Sequence, residues 1–324
     1  MTNDTYTHAT KARMSENNIS DNDIDLRAFF YIIWKGKWVV LFTTIIFSVM
    51  SIFYALAQPN IYESEALLAP AESESNGGLS ALAGQFGGLA SLAGVNLGSN
   101  NTNKAQLAIE VIKSRKFTSE FIKKHNILPE LMAATEWDLV NDRVIYDSDL
   151  FDHKKNKWVR EAAPPFKSKP SMQEAYKAFS KVLNVNTDKE TGMVTISVEH
   201  VSPKVARQWV NWLIEDINLE MKIRDVVEAT RSTEFLTQQL EETRIADIRS
   251  VLYKLVEEQA KTIMFANVRD EYIFKTIDPA LVPEVKSKPK RALIVILGSL
   301  LGGVFSVMFV LIQSFLRRDN YVNP

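Results

Sequence analysis

The sequence has no cysteine, and only four of its 324 residues are histidine. Missing thiols exclude disulfides, thiolate zinc sites, iron–sulfur clusters and cysteine nucleophiles together. They leave the compartment open, since a thiol-free chain suits an oxidising periplasm and a cytosol equally. His8, His125, His153 and His200 stand at no metal-ligand spacing, so neither a metal nor a cofactor is expected. Charge of one sign is missing as well, with 38 basic side chains against 39 acidic ones. That balance argues against a nucleic-acid partner, because neutralising phosphates takes a basic face. There is no G-x-x-x-x-G-K-[ST] phosphate loop, for Gly36-Lys37 is followed by Trp38 and lacks the upstream glycine. No G-x-S-x-G elbow occurs. Asp147-Ser148-Asp149 has the D-x-D form that holds a metal and a nucleotide sugar in some transferases. Carboxylates at that spacing are common by chance, and an external segment meets no nucleotide sugars. No catalytic residue is expected, and the chain reads as something other than an enzyme.

What the sequence has instead is two long uncharged apolar runs, WVVLFTTIIFSVMSIFYALA at 38–57 and ALIVILGSLLGGVFSVMFVLI at 292–312. A bilayer core about 30 Å thick takes about 20 residues at about 1.5 Å each, so each run can cross once. A cleavable signal peptide is the rival reading of the first run, because Ala55-Leu56-Ala57 resembles a cleavage site. The run is too long for that, and a polar tail of 37 residues precedes it. Arg27, Lys35 and Lys37 precede the first run, and no Lys or Arg follows it until Lys104, which places the N-terminus in the cytoplasm. Two crossings return the C-terminus there. Lys286, Lys288, Lys290 and Arg291 oppose this locally, against Arg317 and Arg318, but the first span usually dominates. Gly298, Gly302 and Ser306 fall four apart and form a small-residue face suited to close helix contact, within the membrane or between subunits. Glycine is also simply frequent in membrane helices.

Between the runs, 61–70 reads as a strand. An uncharged segment over 75–103 holds seven of the twelve glycines, in a near-duplication (GGLSALAGQF, then GGLASLAGVN) over 77–96. Glycine at this density prevents a stable helix in water, leaving a surface loop, or an apolar loop that packs between subunits, touches the membrane or lines a lumen. A helix capped by Asn103 is expected over 104–125 with Ala108, Ile109, Ile112 and Phe121 inward. A short strand is expected at 143–146, a helix at 172–183 and a hairpin from 182–186 and 193–200. Ser202-Pro203 then opens a helical region over 203–266, with no glycine or proline from Lys204 to Asp278. Its apolar stripe shifts, which suggests a bend or break near 224–232. Ile245, Ile248, Leu252 and Leu255 form a narrow seam on the later part, which either projects toward a neighbour or folds back within its own chain. A last strand is expected at 272–274, after which Pro279, Pro283 and Pro289 lead stiffly into the second apolar run.

Two stretches resemble the chain length determinant (Wzz) family of polysaccharide co-polymerases. One is IDLRAFFYIIWKGKWVVLFTTIIFSVMSIFYALAQPNIYESEALLAP at 24–70, a basic aromatic collar followed by a span, a proline and a strand. The other is FKTIDPALVPEVKSKPKRALIVILGSLLGG at 274–303, in which Ile277-Asp278-Pro279-Ala280, Pro283 and Pro289-Lys290-Arg291 stand in the family's pattern. The helix ending VEEQAKTIMFANVRDEYIFK is similar too. The resemblance implies an α+β membrane protein, two transmembrane helices flanking a large periplasmic α/β domain with a long projecting helix. Its parts would be a cytoplasmic tail (1–37), a first transmembrane helix (38–57), a periplasmic domain (58–291), a second transmembrane helix (292–316) and a second cytoplasmic tail (317–324). It implies a non-catalytic regulator of polysaccharide chain length, whether O-antigen, capsule or exopolysaccharide. Such a protein forms a homo-oligomer in the bacterial inner membrane and acts on a membrane-embedded polysaccharide polymerase, with lipid-linked glycan as a further partner. Eight residues follow Leu316, so the fused tyrosine kinase of related exopolysaccharide proteins is not expected. The alternatives are a periplasmic sensor or adaptor module of a membrane signalling or export complex, and a glycosyltransferase. The first usually continues into a cytoplasmic output domain, and the second needs a nucleotide-binding domain.

Overall fold

A computed structural model describes residues 31, 33–71 and 100–319. The glycine-rich duplication at 77–96, most of the N-terminal tail and His8 lie outside the described residues. The chain divides into two units, one of residues 1–58 with 290–324 and one of residues 59–289.

The first unit contains two apolar helices, α1 (Lys37–Ala57), the first element, and α8 (Arg291–Asp319), the last. Both are long and apolar enough to cross a membrane. They pack on each other in opposite directions. Gly36 lies against Val310, Phe47 stacks on Phe305 with ring centroids 6.3 Å apart, Ser48 and Ser299 share a hydroxyl hydrogen bond of 2.7 Å, and the Arg291 guanidinium donates to the Ala55 carbonyl.

The second unit is built on a four-stranded antiparallel sheet in the order β6-β7-β1-β8, from β1 (Tyr62–Pro70), β6 (Leu183–Thr187), β7 (Val194–His200) and β8 (Phe274–Asp278). Alternation places Ser64, Ala66 and Leu68 of β1 and Val194, Ile196 and Val198 of β7 in the interior. Against them pack Trp209, Leu213, Ile217 and Met221 of α6 (Pro203–Glu242), Phe121 of α3 (Arg115–Lys124) and Phe179 of α5 (Met172–Val182). The remaining elements are α2 (Asn100–Lys113), α4 (Leu128–Ala133), the hairpin of β2 (Ala134–Asp138) with β3 (Arg143–Tyr146), the short pair β4 (Phe151–Asp152) with β5 (Lys157–Trp158), and α7 (Ala246–Val268).

Three expectations are corrected. The helix expected over 104–125 begins at Asn100 and is two helices, because Ser114 turns extended and its hydroxyl accepts the Phe117 N–H at 3.2 Å, capping a new start. The last strand occupies Phe274–Asp278 rather than 272–274, and the Tyr272 hydroxyl is taken by Asp225 instead. The long helix does not break within 224–232. It runs unbroken to Glu242, and the chain turns at residues 243–245. The shift in stripe marks a change of partner, from the sheet under the first half of α6 to α7 beside the second. Thr243 and Ile245, both β-branched, take extended conformations at the turn, and Asp247 favours the new helix N-terminus.

Candidate functional site

The turn at residues 243–245 decides what the long helical region can do. So short a connection makes α6 and α7 antiparallel neighbours, and they pack along each other as a helical hairpin. From Asp225, beside the last strand, α6 continues about 25 Å to Glu242 at about 1.5 Å per residue. The hairpin is therefore an arm standing out from the sheet.

Its root is fixed by polar side chains. The buried Asn218 accepts the N–H groups of Ile273 (2.8 Å) and Phe274 (3.0 Å) and donates to the carbonyls of Ile214 (3.0 Å) and Phe274 (3.2 Å). About two turns further, Asp225 accepts from the Tyr272 hydroxyl at 2.6 Å and from the Lys104 ammonium at 2.7 Å. Burial, then this bond to Asp225, pushes the Tyr272 hydroxyl well above the usual phenol range. Asp216 receives Lys124 at 2.5 Å and His125 at 2.8 Å, and the His125 ring stacks on Trp212 at 4.1 Å. None of these hubs was visible as a pattern in the sequence.

The seam residues separate into two classes. Ile245, which is the N-cap of α7, and Ile248 are 59% and 46% exposed, while Leu252 and Leu255 are half-buried. Val251 and Tyr253 are exposed beside them. The arm thus folds back on its own chain and still presents an apolar end. Gly298 and Gly302 face α1: a Cβ at Gly298 would overlap the Ser51 hydroxyl, and one at Gly302 would sit 2.5 Å from Phe47 Cβ. Ser306 is buried and its hydroxyl donates to the Gly303 carbonyl at 2.7 Å. The small-residue face meets the chain's own first apolar helix. The segment holding Pro279 and Pro283 runs back along β1, with the Leu281 carbonyl accepting from Ser64 at 2.7 Å. Just before Pro289, Ser287 N–H donates to the Ile61 carbonyl at 2.8 Å, and Lys288 pairs with Glu199 at 2.6 Å.

Among the described residues no group of three or more metal-ligating side chains converges. Asp147 of the D-x-D sequence accepts the Asp149 N–H at 2.9 Å, a local turn bond. His200 is buried. Its Nδ1 accepts the Ser202 N–H at 3.0 Å and its Nε2 bonds the Glu130 carbonyl at 3.1 Å. Burial holds its pKa below the ordinary imidazole value, partly offset by those bonds. Tyr146, whose hydroxyl donates to Glu130 at 3.2 Å, is pushed up to about 12 by burial and then by that carboxylate.

With this geometry in place, the comparisons with known proteins define first a class. Residues 22–125 match the chain length determinant protein family (Wzz), and residues 243–315 match a G-rich domain named for tyrosine kinases that carry it (GNVR). The chain carries a chain length determinant (Wzz) domain and a GNVR domain, and the first supports a part in polysaccharide chain-length regulation. Similar solved structures are a full-length bacterial polysaccharide co-polymerase, 14% identical, covering 92% of this chain and 99% of the other at a TM-score of 0.37, and a fragment of the co-polymerase WzzB from Salmonella Typhimurium, 13% identical, covering 71% of this chain and all of the fragment (100%) at 0.29. No curated protein matches the chain. Two apolar helices beside a Wzz domain are consistent with an inner-membrane protein carrying a large periplasmic domain.

Proposed function

We propose that the protein is a non-catalytic scaffold that sets the chain length of a bacterial surface polysaccharide by acting, as a homo-oligomer, on a membrane-embedded polymerase. The observation that carries the reading is the arm of α6 and α7 ending in exposed Ile245 and Ile248, on a chain with two apolar helices and the Wzz domain. An apolar end that the arm's own fold leaves uncovered is suited to a neighbouring subunit. In this reading both termini lie in the cytoplasm and residues 58–291 in the periplasm, the orientation that the basic residues before α1 favour. Chain growth is the polymerase's chemistry, and this protein biases when growth stops.

Deleting the gene tests the reading. Polymer should persist with an unregulated length spread on gel electrophoresis. Loss of all polymer, with the polymerase still expressed, would point to an essential catalytic or export role and overturn it.

A further inference from the structure

A cavity of about 380 Å³ opens between the β4–β5 hairpin and the loop preceding α5, lined by Asn126, Asn156, Lys157, Trp158, Ser168 and Lys169. Its walls are held rather than loose. The half-buried Trp158 pairs with Phe151 across the hairpin, ring centroids 5.0 Å apart, and Phe151 is buried beneath. The opposite wall is stapled by Arg160. Its guanidinium donates to the carbonyls of Lys167 at 2.8 Å and Ser168 at 2.9 Å and pairs with Glu174 at 2.8 Å. Glu174 in turn accepts the Ser171 N–H at 2.9 Å, closing the capping box of α5. Ser168 and Lys169 are thereby fixed across from Lys157 and Trp158.

The chain as a whole is nearly neutral, but this segment is not. Residues 154–169 contain Lys154, Lys155, Lys157, Arg160, Lys167 and Lys169 against the single acid Glu161. Lys155 is paired with Asp152 and Arg160 with Glu174. Lys157 and Lys169, which line the cavity, are exposed and make no ion pair among the described residues.

An indole face, two side-chain amides, a hydroxyl and two uncompensated ammonium groups around a space of this size suit one chemistry, a hydroxyl-rich ring that carries a negative charge. The indole can cover the C–H face of a pyranose, the amides and hydroxyl can meet its hydroxyls, and the lysines can make charge-assisted hydrogen bonds to its acid group. We propose that this cavity is a subsite for an acid-bearing sugar unit of the glycan, an inference that rests on the chain-length reading above.

The test titrates the full-length protein in nanodiscs with tetragalacturonate, and separately with maltotetraose and inorganic phosphate, by calorimetry. Saturable binding of tetragalacturonate is expected. Lys157→Glu with Lys169→Glu, and separately Trp158→Ala, should each weaken it by about tenfold or more. The lysines are exposed, so the first variant should melt as the wild type does. Equal affinity for maltotetraose, equal affinity for phosphate with Trp158→Ala silent, or no saturable binding would each overturn the subsite. In cells, a normal modal length in the lysine variant beside a deregulated deletion strain overturns the subsite and leaves the regulator reading standing. A deletion without effect on length overturns the regulator reading and leaves the binding result to stand by itself.

Discussion

Asn218 takes both backbone polar groups of Phe274, accepting its N–H at 3.0 Å and donating to its carbonyl at 3.2 Å. The Ala71 N–H donates to the Ile273 carbonyl at 2.9 Å, which makes Pro70 and Phe274 a non-hydrogen-bonded pair and turns Phe274's own groups away from β1. β8 is an edge strand, so nothing in the sheet can satisfy them. The Asn218 amide stands in for the missing strand, and in doing so ties the arm to the edge it covers.

Asn218→Ala should therefore destabilise the unit of residues 59–289 by about 3 kcal/mol, the cost of leaving several buried backbone groups without partners. Thermal unfolding of the purified protein measures it. Asn218→Asp keeps the acceptor but loses the donor and buries a charge, so it should not restore stability. A shift of either variant within about 0.5 kcal/mol of wild type would mean water reaches this edge.

Why such hubs escaped the sequence follows from what sequence patterns record. The two apolar runs, the alternation of β1 and β7, and the Ser202-Pro203 helix start are local signals, and each was legible. The arm's turn was not. A shifting apolar stripe looks like a break when only one helix is in view, and becomes continuous once α7 supplies a second partner surface. Asn218, Asp225 and Arg160 are polar residues whose partners lie far along the chain, so no spacing announces them. Gly298 and Gly302 were legible as a close-contact face for assembly in the membrane, but the sequence did not name α1 as the helix they meet.

That contact can be measured directly, since the chain has no cysteine to interfere. Ser48→Cys with Ser299→Cys, whose hydroxyls lie 2.7 Å apart, should crosslink within one chain on oxidation. Adding Gly298→Leu and Gly302→Leu should abolish the crosslink, because those side chains would fill the space of Ser51 and Phe47. Mass spectrometry of proteolysed material separates intrachain from interchain products. A purely interchain crosslink would assign the glycine face to subunit contact.

His200 gives the protein an acid sensitivity of known sign. Its pKa is lowered in the folded chain, so the unfolded chain binds the proton first as pH falls below about 6.5. Stability is full above that value and declines as pH drops toward the folded pKa. His200→Gln, which cannot titrate, should lose that part of the decline. Melting temperatures of the two proteins between neutral and mildly acidic pH provide the check, and parallel curves would show that another group governs the acid limb.

The end of the arm separates fold from assembly. Ile245 and Ile248 are largely exposed, so Ile245→Asp with Ile248→Asp should change intrinsic stability by no more than about 0.5 kcal/mol. If a neighbouring subunit covers this row, the same variant buries two charges at a subunit contact and should lower the oligomer size, with the protein still inserted and its polymer broadened in length. Leu252→Asp differs, because Leu252 is half-buried. It should lower the melting temperature as well as disturb length. Native mass spectrometry of the detergent-solubilised protein, unfolding curves and gel electrophoresis of the polymer distinguish the two effects. An Ile245/Ile248 variant with unchanged oligomer size and unchanged polymer would show that the exposed row is not where subunits meet, and would move the contact to the flanks of the hairpin.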